Sequence, residues 1–304
     1  MNTAAKLSAY GAVLALVAGG AWAAGSAVGP FTVEAAPGGH DASPGGEDAG
    51  HGDDHSGTVA GTAQDQPGGL ASSRGGYTLT PTDTTLTTGT NSFSFRVTGP
   101  DGAAVTAYDV QHDKRMHLIA VRRDTSGYRH VHPEMAPDGT WTVPLDLAEA
   151  GSYRLFADFK PTGGEATTLG VDVAAAGTFE PRAHAPSWVA EVDGYQVRLA
   201  GDLTPGKASP VRLTVGKGGA PVTDLQPYLG AYGHLVALRE GDLAYLHVHT
   251  EGTPSAGPEI PFAVEVPTAG RYRLFLDFRH DGVVRTAEFT VDTAGHDHEG
   301  HGHG

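Results

Sequence analysis

Three stretches of this chain occur twice in the same order, and that duplication limits its fold more than any other feature. His117-Leu118-Ile119-Ala120-Val121-Arg122 matches His234-Leu235-Val236-Ala237-Leu238-Arg239, and Tyr128-Arg129-His130-Val131-His132 matches Tyr245-Leu246-His247-Val248-His249, both at an offset of 117. Ala150-Gly151-Ser152-Tyr153-Arg154-Leu155-Phe156-Ala157-Asp158-Phe159 matches Ala269-Gly270-Arg271-Tyr272-Arg273-Leu274-Phe275-Leu276-Asp277-Phe278 at an offset of 119. Each copy covers roughly 100 residues, longer than a solenoid unit of about 20–50. The chain therefore carries two tandem domains, expected at 76–177 and 194–294 with a linker at 178–193.

Each copy reads as strands. Ser92-Phe93-Ser94-Phe95-Arg96-Val97 alternates polar and apolar side chains, and Gly, Pro and Asp clusters separate such runs. Ahead of Tyr153 and of Tyr272 the sequence resembles the corner of an immunoglobulin-like sandwich, where a Tyr hydroxyl ties the corner to nearby backbone. The expected fold is all-β: two immunoglobulin-like antiparallel β-sandwiches after an N-terminal transmembrane or signal helix.

That helix is read from Leu7 to Gly29, which holds no charged residue and follows Lys6. Twenty-three residues suffice to span a bilayer. We read residues 1–30 as an uncleaved anchor with the C-terminal domains outside the cytoplasm; the alternative is a signal peptide cleaved near Ala23, since Ala21-Trp22-Ala23 fits the small-x-small pattern. Residues 31–75, rich in Gly, Pro and carboxylates, read as a disordered tether containing His40, His51 and His55. Residues 295–304 form a tail with His296, His298, His301 and His303, and both segments are candidates for loose metal collection.

Histidine is the residue type that stands out, 16 of 304, and cysteine is absent. That excludes disulfide scaffolds, thiolate zinc sites, blue-copper centres and thiol nucleophiles. In a strand, residues i and i+2 share a face, so His130 lies beside His132, and His247 beside His249, about 7 Å apart. If Gly241-Asp242 is a two-residue hairpin loop, His234 lies opposite His249 and, at the same offset, His117 opposite His132; a register shifted by two keeps each trio on one face as a three-His patch, whereas a shift of one separates it. Three neutral imidazoles suit Cu(II) or Zn(II). Weaker candidate ligands are Met116 and His112, with Met135 and Glu134 as further supplements; the second copy has Gly233 in place of Met116, which argues against a shared Cu(I) mechanism. Asp158 and Asp277 read as solvent-facing strand residues, or else as carboxylates that orient a His. The metal set is thus His117, His130, His132, His234, His247 and His249, with copper or zinc as the ion. His184 and His280 fall outside it.

A formal charge of −15 argues against nucleic acid as a partner. No Gly-x-Ser-x-Gly elbow, phosphate loop or His-Glu-x-x-His occurs, so no enzyme is expected. The partners expected are metal ions and an envelope protein or metal transporter. With the His-Leu-Ile/Val-Ala hairpin, the His-Val-His triplet and the Ala-Gly-x-Tyr-Arg-Leu-Phe strand combined, residues 76–292 resemble bacterial membrane-anchored extracytoplasmic proteins with two such modules. Each module is more weakly similar to the YtkA-like and CopC-like sandwiches of copper handling. The resemblance implies an extracytoplasmic location and, by analogy, copper. The N-terminal His of a CopC-type site is missing, so no family ligands carry over.

Overall fold

The computed structural model describes residues 67–246, 248–251 and 255–293, and all the regular elements among them are β-strands. The N-terminal anchor, the tether up to residue 66, His247 and the His-rich tail lie outside the described residues. Among the described residues no helix is long and apolar enough to cross a membrane.

Two immunoglobulin-like sandwiches follow one another. In the first, one sheet runs Ser73–Arg74, Tyr77–Pro81, Gly89–Thr98, Thr140–Leu147, Glu134–Met135. The facing sheet runs Thr85–Leu86, Thr167–Ala175, Gly151–Pro161, Met116–Arg122, Arg129–Val131, and Tyr108–Asp109 also pairs with Gly151–Pro161. The second sandwich repeats the plan: Val189–Val192, Tyr195–Ala200, Lys207–Lys217, Glu259–Val266 and Val248–Thr250 face Tyr245–Leu246, His234–Arg239, Arg271–His280 and Val283–Asp292. Both corners close as expected, with the Tyr153 hydroxyl donating to the Glu149 carbonyl at 2.8 Å and the Tyr272 hydroxyl to the Thr268 carbonyl at 2.6 Å.

Two boundaries differ from the sequence reading. Ser73–Arg74, assigned to the tether, forms an edge strand on Tyr77 and Thr78. Val189–Val192, assigned to the linker, is the first strand of the second sandwich and pairs with Tyr195–Arg198. The turn between them explains this: Asp193 and Gly194 take φ of 48° and 78°, the left-handed pair that a two-residue hairpin with matched twist requires.

Alternation along the strand Met116–Arg122 leads into two cores instead of a core and solvent. Met116, Leu118 and Ala120 pack inside the first sandwich, whereas Ile119 and Val121 join Phe156, Val236, Leu238 and Phe275 in a third cluster between the sandwiches. His234–Arg239 mirrors this, with Leu235 and Ala237 inward and Val236 and Leu238 across the seam. The two His-bearing sheets thus stand back to back. Tyr128 stacks on Phe275 with centroids 4.2 Å apart, and Phe156 meets Tyr245 at 5.5 Å. These are duplicate positions exchanged between copies, the self-complementary pattern of a two-fold dimer interface within one chain.

Phe275 is fully buried in this seam. Phe275→Ala is expected to lower the unfolding free energy by about 3–5 kcal/mol in urea denaturation. A loss below about 1 kcal/mol would mean that the seam opens at little cost and is not part of the folded core.

Candidate metal centre

The hairpin register is Leu118 opposite Val131, Ile119 opposite His130 and Ala120 opposite Arg129. One step further along, His117 lies opposite His132, the register expected from the repeat. Because His117 shares the face of Ile119 and Val121, it points into the seam, and His130 and His132 come to the same face. One nitrogen from each of His117, His130 and His132 lies within 4.8 Å of the others. Ring centroids stand 5.3, 5.0 and 4.9 Å apart for the pairs 117–130, 117–132 and 130–132. Two imidazoles sharing a tetrahedral ion at about 2.0–2.1 Å have centroids roughly 5 Å apart, so the rings already stand at ligand spacing.

Hydrogen bonding fixes which nitrogens face one another. His117 Nε2 lies 3.0 Å from the Gln111 carbonyl oxygen, which can only accept, so Nε2 carries the proton and Nδ1 a bare lone pair. His130 Nδ1 lies 2.8 Å from an Asp277 carboxylate oxygen and donates to it, which in the neutral ring leaves Nε2 bare. These two bare nitrogens face each other at 3.1 Å. Two lone pairs at that distance repel unless a positive species stands between them, either a shared proton or a cation. Beside this pair, His132 Nε2 is buried and has no hydrogen-bond partner among the described residues. A shared proton would serve His117 and His130 and leave His132 orphaned, whereas a metal ion would satisfy all three.

Asp277 belongs to the second sandwich and holds a histidine of the first. It is buried and also accepts from Thr286 Oγ1 at 2.6 Å. Reading it as solvent-facing is therefore corrected, because the seam covers the outer face of its strand. Asp158, its duplicate, is half-buried and accepts from Thr168 Oγ1 at 2.9 Å.

Other candidates separate from the cluster. Met116 is corrected from ligand to core residue, since strand parity turns it away from His117 and into the first sandwich at 1% exposure. Met135 packs on the same core, and Glu134 is exposed. The ladder from His234–Arg239 reaches Leu246 in the expected register, and the backbone of His249 pairs with Ala263 of the opposite sheet; His247 and the His249 side chain, which complete the expected second patch, lie outside what is described. Thr250, which pairs with Phe262, carries the backbone N–H that Pro133 lacks at the matching place in the first copy. His234 donates from Nε2 to the Tyr228 carbonyl at 2.8 Å, with its ring 5.3 Å from that of His112. His247, His296, His298, His301 and His303 lie outside the described residues. His280 sits elsewhere, between Tyr195 and Asp224.

The chain belongs to the family described as Domain of unknown function (DUF8832), which matches it twice, over residues 71–177 and 190–295. No curated protein matches it. Solved structures with a detectable likeness include invasin, described as a bacterial integrin-binding protein, at 13% identity, with 71% of this chain and 39% of that one covered and a TM-score of 0.21. The D0–D1 domain of intimin gives 14% identity, 71% and 97% coverage and 0.21. A protein of Corynebacterium diphtheriae described as membrane anchored gives 8% identity, 72% and 57% coverage and 0.22. The family matched is not one of the copper-handling groups that the sequence weakly resembles.

Burial governs the protonation of these rings. It pushes His117 down to about 4, with the neighbouring His130, His112 and His234 adding to the effect against the carbonyl of Gln111. Burial, then His130 and His117, pushes His132 down to about 3. An unfolded imidazole takes its proton near pH 6.5, so between that pH and about 4 the unfolded chain binds more protons than the folded one. The metal-free protein is therefore expected to lose stability as pH falls from about 6.5 to 4, by about 3 kcal/mol from His117 alone. Urea midpoints measured with a chelator across that range check this, and a flat profile would contradict it.

Proposed function

We propose that this protein binds one Cu(II) or Zn(II) ion through His117, His130 and His132, in a chain tethered outside the cytoplasm. The observation that carries the reading is the convergence of three imidazoles in the seam, with His117 Nδ1 and His130 Nε2 3.1 Å apart and the buried His132 Nε2 without a hydrogen-bond partner among the described residues. All three ligands are imidazole nitrogens, which suit Cu(II) and Zn(II), and Cu(II) stands above Zn(II) in intrinsic affinity. Neither Met116 nor Met135 joins the cluster, so no thioether favours Cu(I). Asp277 supplies the carboxylate that fixes the tautomer and orientation of His130 and raises its basicity as a ligand. The uncharged Leu7–Gly29 segment after Lys6 supports the tether, and the His-rich tail would hold ions loosely at high local concentration.

Calorimetry with elemental analysis on the full chain tests the site. Wild type is expected to bind one ion more than the His130→Ala/His132→Ala variant, since the His-rich ends contribute equally to both. Asp277→Asn is expected to keep that ion but weaken it about 10–100-fold. Equal stoichiometry and affinity in wild type and double variant would sink the reading and leave the immunoglobulin-like pair as a partner-binding scaffold.

A further inference from the structure

Each sandwich carries the same tight turn just before its histidine strand, closed by Gln111 with Lys114 in the first copy and by Tyr228 with Ala231 in the second. The turn's first carbonyl accepts from the strand's first histidine in both copies, Gln111 from His117 and Tyr228 from His234. The central residues are left-handed in both: His112 and Asp113 at φ 47° and 59°, Leu229 and Gly230 at 54° and 75°. Glycine or asparagine suits such positions best. The second copy uses its turn to bury Leu229. The first uses it to present His112, exposed, across the seam.

What His112 meets is His234 of the other sandwich, with ring centroids 5.3 Å apart and ring planes at 80°. That is the spacing of the 117–130 pair. His234 donates from Nε2 to Tyr228, so its Nδ1 carries a free lone pair. His112 makes no hydrogen bond within the described residues, so its ring is free to turn a nitrogen toward His234. The two rings line one cavity of about 420 Å³ together with His117, His130 and Asp158. His112 also lies 6.1 Å from His117, centroid to centroid. The exposed His112 ring thus stands beside both the half-buried His234 of the other sandwich and the buried His117 of the cluster.

We propose that His112 and His234 form a second metal position, made by one histidine from each sandwich, that takes a divalent imidazole-seeking cation from solvent and passes it to the buried cluster. The proposal deepens the metal-binding reading and rests on it for the ion's destination. Two protein ligands leave at least two places for water on a tetrahedral ion. This position is therefore the weaker and faster of the two, and the three-histidine cluster is the end of the path.

The test compares Zn(II) binding to the full-length protein and to His112→Ala, whose side chain is exposed and outside both sandwich cores. His112→Ala is expected to bind one ion fewer than wild type, to keep the tight ion with affinity within about twofold, and to load it several-fold more slowly from a chelator-buffered supply in stopped flow. His112→Ala equal to wild type in stoichiometry and loading rate would overturn the proposal. The His130→Ala/His132→Ala variant separates the two readings: it keeps the weak ion and loses the tight one if both hold. If it matches wild type while His112→Ala loses an ion, the cluster reading fails and the second position stands alone as a surface site.

Discussion

The packing of two duplicate sheets against each other, outer face to outer face, is the constraint from which the rest of this structure follows. An immunoglobulin-like sheet ordinarily gives one face to its own core and the other to water. Here Ile119, Val121, Phe156, Val236, Leu238 and Phe275 take that second face out of water as well. Any polar side chain on this face must then find a partner or carry a desolvation penalty of a few kcal/mol. His117 meets Gln111, His130 meets Asp277 and His234 meets Tyr228. His132 Nε2 is left without a partner beside the facing His117 and His130 rings, as are the Tyr128 hydroxyl and Arg273 Nε elsewhere, so the seam sets an unpartnered imidazole next to two converging ones in a low-dielectric setting.

Duplication gives two equivalent chances to build such a centre, and two substitutions separate them. Pro133 has no N–H to give to the opposite sheet, and the first copy keeps His132 beside His117. Thr250 at the matching place pairs with Phe262, and His249 goes with it to the other sheet. His112 stands where the second copy has Leu229, so the left-handed turn presents an imidazole in one copy and an apolar side chain in the other. Pseudo-symmetry in the aromatic pairs therefore coexists with asymmetry in the polar ones. The Tyr128–Phe275 and Phe156–Tyr245 contacts hold the sandwiches together, while the divergent residues determine what that contact encloses.

Much of this was legible from strand arithmetic. The repeat located the modules, the two-residue period put His130 and His132 on one face, and the short polar turn set His117 opposite His132. Both tyrosine corners followed from the spacing before Tyr153 and Tyr272. What strand arithmetic does not contain is the second burial. The run His117 to Arg122 has apolar residues on both faces, as a strand buried on both sides does, and Asp158 and Asp277 recur within otherwise apolar strands. Each of those signals is local, whereas the seam pairs residues 147 positions apart, His130 with Asp277. Met116 misled for the opposite reason: it adjoins His117 in sequence, and in a strand adjacency in sequence means opposite faces. For His234 partners were sought within its own copy, and the turn carrying His112 reaches it from the other.

The division of the centre between sandwiches also governs how an ion would act on the protein as a whole. His117, His130 and His132 come from one copy, yet His130 is oriented by Asp277 from the other, so a ligand held by the three rings would be held more tightly while the sheets stand together. By linkage, whatever binds the docked form and not the parted one stabilises docking by the same free energy. A divalent ion would bring two positive charges into a seam where Asp277 is the carboxylate bonded to the cluster. That carboxylate lies at the second-sandwich end of the contact. The attraction between ion and carboxylate therefore acts across the seam, adding an electrostatic tie to the apolar contact that formed it.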